Sequence, residues 1–243
     1  MIETTIIIPT FNARDHTEKC LESLARFTDS PHKIIVVDNG STDGTIDILK
    51  NYPAITILKS PKNVGFAGAC NIGLEVADSP FVVLANNDLV FTPGWLRSLI
   101  ATANLNKRIG LVGPLTNAAA GLHVEPFTPY ASTEELAAQA AAFKEKNAAL
   151  VHEVPFLIFF CVLIKREVIS TLGPLDESFG LGGCDDIDYS FRAAAAGYCC
   201  ALDRSVFVHH ACSRTYQANN LDLKHLLLEA RARFKKKWGP LAP

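Results

Sequence analysis

Apolar residues follow two different spacings along the first 104 residues of the chain. Short continuous apolar runs predict strands at residues 5–9, 33–38, 55–58 and 81–85. Elsewhere apolar residues recur every three or four positions, which predicts helices at residues 17–27, 45–51, 66–77 and 93–104. Because strands that alternate with helices form right-handed βαβ units, we expect an α/β fold built on a parallel sheet.

The second half of the chain has a less regular pattern. Ser132 and Glu135 form a capping-box pair before a polar, alanine-rich segment, which predicts a helix at 132–149. The segment 154–165 is mostly apolar and strand-like. A further strand is predicted at 200–209, and further helices at 187–196, ending at Gly197, and at 221–238.

Composition limits the class of protein. With 243 residues, of which 49% are hydrophobic, the chain can bury the core of one large α/β domain or two small lobes. The net charge of −2 excludes a general nucleic-acid-binding protein, which would be strongly basic. The seven cysteines show no paired metal spacing, and an odd number without a signal peptide is typical of reduced thiols in the cytoplasm.

The sequence carries no recognisable targeting or membrane signal. Residues 1–9 lack a basic region and a cleavage site, so we interpret them as part of the first strand. No apolar run reaches the roughly 18 residues of a membrane span. The longest candidate, 154–164, is shorter and contains Pro155. We therefore expect a cytoplasmic protein.

Polar residues directly follow the fourth predicted strand. Asn86, Asn87 and Asp88 come after the run 81–85, whose continuous apolar character indicates burial on both faces. Open α/β sheets bind ligands at the carboxyl ends of their strands. Because a hard divalent cation takes oxygen ligands, Asp88 and its amide neighbours could supply the protein's share of a metal site. The alternative is a simple turn.

Further loops lie at the same predicted edge of the sheet. Segments 9–12 and 38–44 follow strands one and two, and their amides together with Asp38 could hold a base or a ribose. The alternative for both is turns and helix caps. Gly65 and Gly68 allow close approach of an anion to a helix start, although tight helix packing would also explain them. Their spacing matches neither the dinucleotide-binding fingerprint nor a P-loop.

Three carboxylates occupy four positions late in the chain. Asp185, Asp186 and Asp188 would repel one another if buried together, and the cost makes them a candidate site. The alternative is a helix start with Arg192 as a salt partner, which explains Asp188 well.

Two adjacent histidines, His209 and His210, follow the apolar residues 206–208. Neutral imidazole can complete a metal shell that carboxylates begin. Strand alternation sends neighbouring rings to opposite faces, so we expect at most one of the two to be a ligand. A structural histidine is the alternative.

Five motifs occur in order along the chain, at residues 5–12, 36–44, 63–71, 86–88 and 185–192. Together they resemble the family 2 glycosyltransferases with the GT-A fold, especially the rhamnosyltransferase-like branch, over about residues 4–215. The resemblance implies a Rossmann-like, mostly parallel sheet with helices on both faces, in a single domain of residues 1–243. Within it, the implied parts are a nucleotide-sugar-binding half at 1–115, an acceptor-binding and catalytic half at 116–220, and a basic C-terminal helix at 221–243.

The resemblance also implies roles for individual residues. Asp88 is similar to the metal ligand of the Asp-x-Asp motif, with His209 or His210 as a further ligand. Asp186 is similar to the catalytic base of an acidic pair that Asp185 completes. The residues implied in donor binding are Pro9, Thr10, Phe11, Asn63, Gly65, Asn71, Asn86, Asn87 and Asp38, of which Asp38 would contact the base.

The implied activity is inverting, metal-dependent transfer of a sugar from a UDP-, dTDP- or GDP-sugar to an acceptor hydroxyl, with Mg²⁺ or Mn²⁺ as cofactor. The implied acceptor is a glycan, a lipid-linked glycan or a protein, in cell-surface glycan biosynthesis, and we expect acceptor residues in 116–129 and 154–161. Asn86 replaces the first Asp of the metal motif, as in many relatives of this branch. The Gln-x-x-Arg-Trp motif of processive synthases is absent.

Two other functions stay open at this point. A binding module that keeps the fold without catalysis would fit the amide at Asn86. A sugar nucleotidyltransferase would need a glycine-rich, basic loop near the first strand, where 10–14 offers only Arg14.

The predicted C-terminal helix carries cations, including the run 235–237, beside the leucines 226–228. Such a helix could rest on an anionic membrane, which would place the protein at the inner face of the membrane. The alternative is an ordinary amphipathic helix packed on the domain.

Overall fold

The structure, a computed structural model, describes residues 3–119, 121–148, 150–212, 219 and 222–239. Its strands are β1 (Thr4–Thr10), β2 (His32–Asp38), β3 (Ile55–Lys59), β4 (Phe81–Ala85), β5 (Leu89–Val90), β6 (Ile109–Leu115), β7 (Val151–Val154), β8 (Cys161–Lys165), β9 (Cys199–Phe207) and β10 (His209–His210). Its α-helices are α1 (Arg14–Phe27), α2 (Thr45–Leu49), α3 (Gly65–Val76), α4 (Trp95–Asn104), α5 (Thr133–Lys146), α6 (Arg166–Leu172), α7 (Asp185–Ala195) and α8 (Leu223–Trp238). Two 3₁₀ turns cover Gly121–His123 and Glu177–Phe179.

Within the described ranges, eight strands form a central sheet in the order β3-β2-β1-β4-β8-β6-β9-β7. The first four of these strands run parallel to one another, and β6 runs parallel to β9. Strand β8 is antiparallel to both β4 and β6, and β7 is antiparallel to β9. The predicted α/β class and mostly parallel sheet are therefore confirmed.

Helices cover both faces of the sheet. Because side chains alternate along a strand, Ile6 and Ile8 of β1 face one core, which includes residues of α1 and α4. Ile7, between them, faces a second core that includes residues of α3 and α7. All five residues of β4 are buried, as its continuous apolar run predicted.

The structure contains a strand that the sequence pattern did not predict. Strand β6 is buried along its whole length, yet Gly110, Gly113 and Pro114 interrupt its apolar run. Gly113 is explained by packing, because a Cβ there would lie 3.0 Å from both His123 Cε1 and Leu157 Cδ2. In β6, a glycine that is typical of turns therefore reflects the close approach of neighbouring segments to the strand.

Other boundaries differ in detail. The segment predicted as one strand at 154–165 contains the end of β7, a loop at 155–160 and β8. The predicted cap at Ser132 is confirmed, because its Oγ accepts from Glu135 N at 3.2 Å, whereas the return bond of Glu135 Oε2 is to Ala131 N at 2.7 Å, one residue before the N-cap. Some predicted positions lie outside the described residues. They are the helix termini at 149 and 221 and, within the predicted parts of the chain, residues 1–2, 213–218, 220 and 240–243.

Helix α8 packs against the domain near α7. Its buried residues Ala230 and Phe234 form a cluster with Phe179 of a 3₁₀ turn, against which Phe191 and Trp238 also pack. Within the described ranges, no helix combines the length and the apolar character that a bilayer crossing requires.

Candidate active site

The carboxyl ends of β1, β2 and β4 and the starts of α3 and α7 surround a cavity of about 370 Å³. The lining residues that the sequence predicted from the first half of the chain are Pro9, Thr10, Phe11, Asn63, Gly65, Asn86, Asn87 and Asp88. Those from the second half are Asp185, Asp186 and His210. Most of the predicted site residues, although far apart in the chain, thus meet around one cavity.

Asp88 and His210 meet because β5 and β10 form a short antiparallel pair in which His210 lies opposite Leu89. Asp88 is 5% exposed, and its Oδ1 lies 3.1 Å from His210 Nε2. The other ring nitrogen, Nδ1, lies 2.9 Å from Ala118 O, which can only accept. In the neutral ring the proton is therefore on Nδ1, and the Nε2 lone pair accepts from Asn86 Nδ2 at 3.3 Å beside the Asp88 carboxylate.

This pair of side chains fits a divalent cation. A carboxylate oxygen and an imidazole lone pair converge, and a carbonyl behind the ring fixes the tautomer, as is usual for metal-binding histidines. No group of three or more His, Cys, Asp or Glu side chains suited to a metal ion occurs in the part of the chain that the structure describes. A cation held by Asp88 and His210 would therefore need substrate oxygens or water to complete its shell.

The acidic pair begins helix α7. Asp186 Oδ2 accepts from Phe159 N at 3.4 Å, and its Oδ1 accepts from Ile187 N at 2.8 Å. Burial, followed by repulsion from Asp185, raises the pKa of Asp186 to about 7. A carboxylate with such a pKa can accept a proton near neutral pH, which suits a general base.

Asp185 is more deeply buried than Asp186. Its Oδ1 accepts from Gly183 N at 2.9 Å, whereas its Oδ2 has no hydrogen-bond partner among the residues that the structure describes. Burial, with a smaller contribution from the charge of Asp188, raises the pKa of Asp185. A buried polar oxygen without a partner beside a cavity is a position where a ligand hydroxyl could bind.

The third acid of this cluster, Asp188, has a structural role. Its side chain is fully buried and accepts from Arg192 Nε at 3.0 Å and from Trp238 Nε1 at 2.8 Å. Lys237 Nζ lies 2.7 Å from the same carboxylate. The expected salt partner Arg192 is therefore present, and two residues of α8 join it.

The start of α3 touches the loop that leads into α7. Gly65 has φ +81°, and a Cβ at this position would lie 2.2 Å from Gly180 O. Only glycine fits there, because both the conformation and the contact exclude a side chain. This contact joins the start of α3, which lines the cavity, to the loop that leads into the acidic pair Asp185 and Asp186.

Three predicted residues do not line the cavity. Asp38 is buried at the end of β2, where its Oδ1 accepts from Ser41 N at 3.2 Å. Asn71 donates to Leu175 O at 3.0 Å and to Glu177 Oε1 at 2.8 Å, which ties α3 to the loop before α7. The His209 ring lies edge-on to Tyr130 at 5.4 Å, so the two adjacent histidines have different surroundings as strand alternation predicted.

Asn39 is a lining residue that the sequence reasoning did not select. Its Nδ2 donates to Asn63 Oδ1 at 2.9 Å and to Gly65 O at 3.2 Å, and its Oδ1 accepts from Val64 N at 2.9 Å. Its position directly after Asp38, at the end of a buried strand, was the available signal. Asn39 thus holds the loop after β2 against the start of α3.

Comparison with known proteins gives consistent similarities. The family model described as "Glycosyl transferase family 2" matches residues 5–173. An N-acetylglucosaminyl-diphospho-decaprenol L-rhamnosyltransferase of Mycobacterium tuberculosis is 26% identical over 84% of this chain and 75% of its own length. Glycosyltransferase AglE of Haloferax volcanii is 24% identical over 85% of this chain and 66% of its own length.

Solved structures share the fold. Mannosyltransferase PcManGT from Pyrobaculum calidifontis, in complex with GDP-Man and Mn²⁺, superposes with a TM-score of 0.69 at 22% identity, covering 99% of this chain. GalNAc-T7 with UDP, GalNAc and Mn²⁺ superposes with a TM-score of 0.68 at 15% identity, covering 86% of this chain. The present chain spans 66% and 43% of these two solved chains, respectively.

Proposed function

The chain belongs to glycosyl transferase family 2, which makes it a glycosyltransferase with the GT-A fold, and from this premise we propose the reaction it performs. A sugar moves from a nucleoside diphosphate sugar to an acceptor hydroxyl, with inversion at the anomeric carbon and with Mg²⁺ or Mn²⁺ bound. The observation that carries this proposal is that the Asp88–His210 pair and Asp186 line the same cavity. The first supplies a cation site and the second a base, which are the two groups that such a transfer needs.

In the donor site, the first half of the chain, residues 1–115, would hold the nucleotide. Pro9, Phe11 and Asn39 form part of the cavity wall, and we assign the base to this part. Asp38, expected from the sequence to contact the base, does not line the cavity, and its proposed part in donor binding is to hold the loop after β2 through Ser41 N. The solved neighbours bind GDP-Man or UDP, which supports a nucleoside diphosphate donor.

In the cation site, Asp88 Oδ1 and His210 Nε2 would be the protein ligands. A bound divalent cation would neutralise the charge that develops on the diphosphate leaving group. Because one ligand is an imidazole nitrogen, Mn²⁺ suits the pair better than Mg²⁺, which prefers oxygen alone.

In the acceptor site, residues 116–220, Asp186 would act as general base. Its carboxylate takes the proton of the acceptor hydroxyl while that oxygen bonds to the anomeric carbon. The bond from that carbon to the diphosphate oxygen breaks, and the nucleoside diphosphate leaves with the electron pair. The Oδ2 atom of Asp185, for which the described part of the chain offers no partner, would accept from a sugar hydroxyl and so orient it. A single displacement of this kind inverts the configuration.

The test measures release of nucleoside diphosphate, by transfer to water or to added N-acetylglucosaminyl-diphospho-decaprenol, from UDP-glucose, UDP-N-acetylglucosamine, dTDP-L-rhamnose and GDP-mannose, each with Mn²⁺ and with EDTA. We expect release from at least one donor in Mn²⁺ and loss of release in EDTA. Donor binding by thermal shift without any release would favour the non-catalytic binding module. Release that persists in EDTA would overturn the cation assignment.

For the acceptor and the location, we propose a lipid-linked glycan at the cytoplasmic face of a membrane. The mycobacterial relative is named for a diphospho-decaprenol acceptor, and α8 exposes Lys224, Arg231 and Lys235 together with Leu228 on one face. Sedimentation with phosphatidylglycerol vesicles should decrease about fivefold in Arg231→Gln, because one basic residue contributes about 1 kcal/mol. The exposed Lys107→Gln is the control, and equal binding by both variants would contradict the location.

A further inference from the structure

His123 connects the end of β6 to the loop at 155–160, whose residues 158–160 line the cavity. It ends the 3₁₀ turn Gly121–His123, and its ring is buried. Nδ1 lies 3.0 Å from Pro114 O at the end of β6, and Nε2 lies 3.0 Å from Ile158 N. Because the carbonyl only accepts and the amide only donates, the ring is neutral with its proton on Nδ1.

The loop that His123 contacts has no polar side chain of its own. Residues 155–160 read Pro-Phe-Leu-Ile-Phe-Phe, so no side chain within this loop can hold its backbone amides. The Ile158 amide donates to His123, and the Leu157 amide donates to Ser190 Oγ of α7 at 3.3 Å. Side chains from outside the loop therefore fix its path past the cavity.

The next amide along the loop reaches the proposed base. Phe159 N donates to Asp186 Oδ2 at 3.4 Å, one residue after the amide that His123 holds. Rotation of the Ile158 backbone would therefore move this donor directly. The other carboxylate oxygen of Asp186 accepts from Ile187 N at 2.8 Å, so the Phe159 amide is the donor through which the loop can orient this carboxylate.

Phe160 carries the same constraint to the cation site. Its carbonyl oxygen accepts from Asn86 N at 2.8 Å, which ties the loop to the residues after β4. Its ring lies edge-on to His123 and stacked on His210, with 5.5 Å between centroids in both cases. His123 thus contacts a loop that reaches both the proposed base, Asp186, and the proposed cation ligand, His210.

We propose that His123 is a positioning residue for the transfer reaction, whose Nε2 holds the Ile158 amide so that the Phe159 amide stays directed at Asp186. The inference rests on the role proposed above for Asp186. Burial lowers the pKa of His123, which keeps the Nε2 lone pair available to Ile158. None of these contacts involves substrate, so His123 acts through the loop.

The test compares three substitutions of His123 in the full chain. His123→Phe keeps a ring against Phe160 but removes both polar contacts. His123→Gln can place an amide oxygen near the Ile158 amide, whereas His123→Asn is too short to reach it. The exposed His152→Phe on β7 is the matched control. Each variant is measured with the donor that gives the greatest nucleoside diphosphate release in the panel above.

We expect kcat to fall about tenfold in His123→Phe and His123→Asn, and to recover to within threefold of wild type in His123→Gln, with donor KM unchanged within twofold. The acid limb of the kcat profile should move to higher pH in His123→Phe and His123→Asn, because Asp186 loses a donor that stabilises its charged form. A purely structural role would lower the melting temperature and leave the acid limb unmoved.

The outcomes separate the two proposals. If wild type releases nucleoside diphosphate and the Asn and Gln variants, both folded by circular dichroism, match it in kcat and pH profile, the His123 inference is overturned and the proposed function stands. If wild type releases none from any donor, the proposed function itself fails. Should His123→Phe not fold, the comparison of Gln with Asn decides, since they differ in their reach to Ile158.

Discussion

Asp88 and Asp186 line one cavity but have different neighbours. Asp88 faces an imidazole nitrogen 3.1 Å away, whose tautomer a backbone carbonyl fixes. Asp186 stands beside a second buried carboxylate, and its pKa is raised to about 7. The same side chain is thereby suited to a cation in one region and to a proton in the other, because neighbouring groups determine which positive species a carboxylate prefers.

Substitution of Asp186, the proposed proton acceptor, should have the largest effect on the difference between the two carboxylates. Asp186→Asn should lower transfer by on the order of 10²–10⁴, because a general base contributes about that much to rate. The melting-temperature increase caused by donor and Mn²⁺ should remain, since the Asp88–His210 pair is unchanged. The exposed Asp15→Asn serves as the control. Full turnover by Asp186→Asn would remove this residue from the mechanism.

The cation-binding region is tested by changing each of two adjacent histidines. His210→Phe keeps the stack on Phe160 but removes Nε2, and we expect the apparent affinity for Mn²⁺ to fall at least about tenfold. His209→Phe should leave that affinity unchanged, because the structure directs His209 toward Tyr130. Titration of Mn²⁺ against nucleoside diphosphate release gives both constants. Equal losses of Mn²⁺ affinity in the two variants would contradict the assignment of His210, rather than His209, as the cation ligand.

The smallest expected effect is on stability. The pKa of Asp186 is about 7 in the folded protein against a reference value of 3.8, so between these pH values the unfolded chain releases a proton that the folded chain keeps. The free energy of unfolding therefore decreases as the pH rises through this range. Asp186→Asn lacks this term and should melt several degrees above wild type at pH 8.

The gain in melting temperature should vanish below pH 3.8, where both states hold the proton. Asn can still accept from the Phe159 amide, so the contact itself is preserved. A variant that melts below wild type at pH 8 would show that the charged carboxylate stabilises the fold, contrary to the raised pKa. Calorimetry at several pH values provides the measurement.

The sequence predicted the regions of the site where local pattern determines geometry. Asn86, Asn87 and Asp88 follow a strand that is apolar at every position, so their place at the sheet edge follows from the run alone. The acidic pair begins a helix, as three acids followed by Arg192 indicated. In both places the residues that determine the local structure lie within about ten positions of one another in the sequence.

Other features depend on contacts between distant segments. Whether His209 or His210 meets Asp88 is determined by the register of β10 against β5, which residue spacing does not reveal. Asn71 belongs to a motif whose other members line the cavity, but its helix turns it toward Leu175. Strand β6 was missed because its glycines accommodate neighbours that only the fold brings close.

The carboxylate of Asp188 has a consequence for any shortened form of this chain. Lys237 and Trp238, near the end of α8, contribute two of its partners, and Asp188 lies one helical turn from Asp185. Deleting the last seven residues, 237–243, would leave a buried charge with Arg192 as its remaining partner among those described here. A truncation made for convenience at that terminus would then register as an enzymatic defect, although neither Lys237 nor Trp238 lines the cavity.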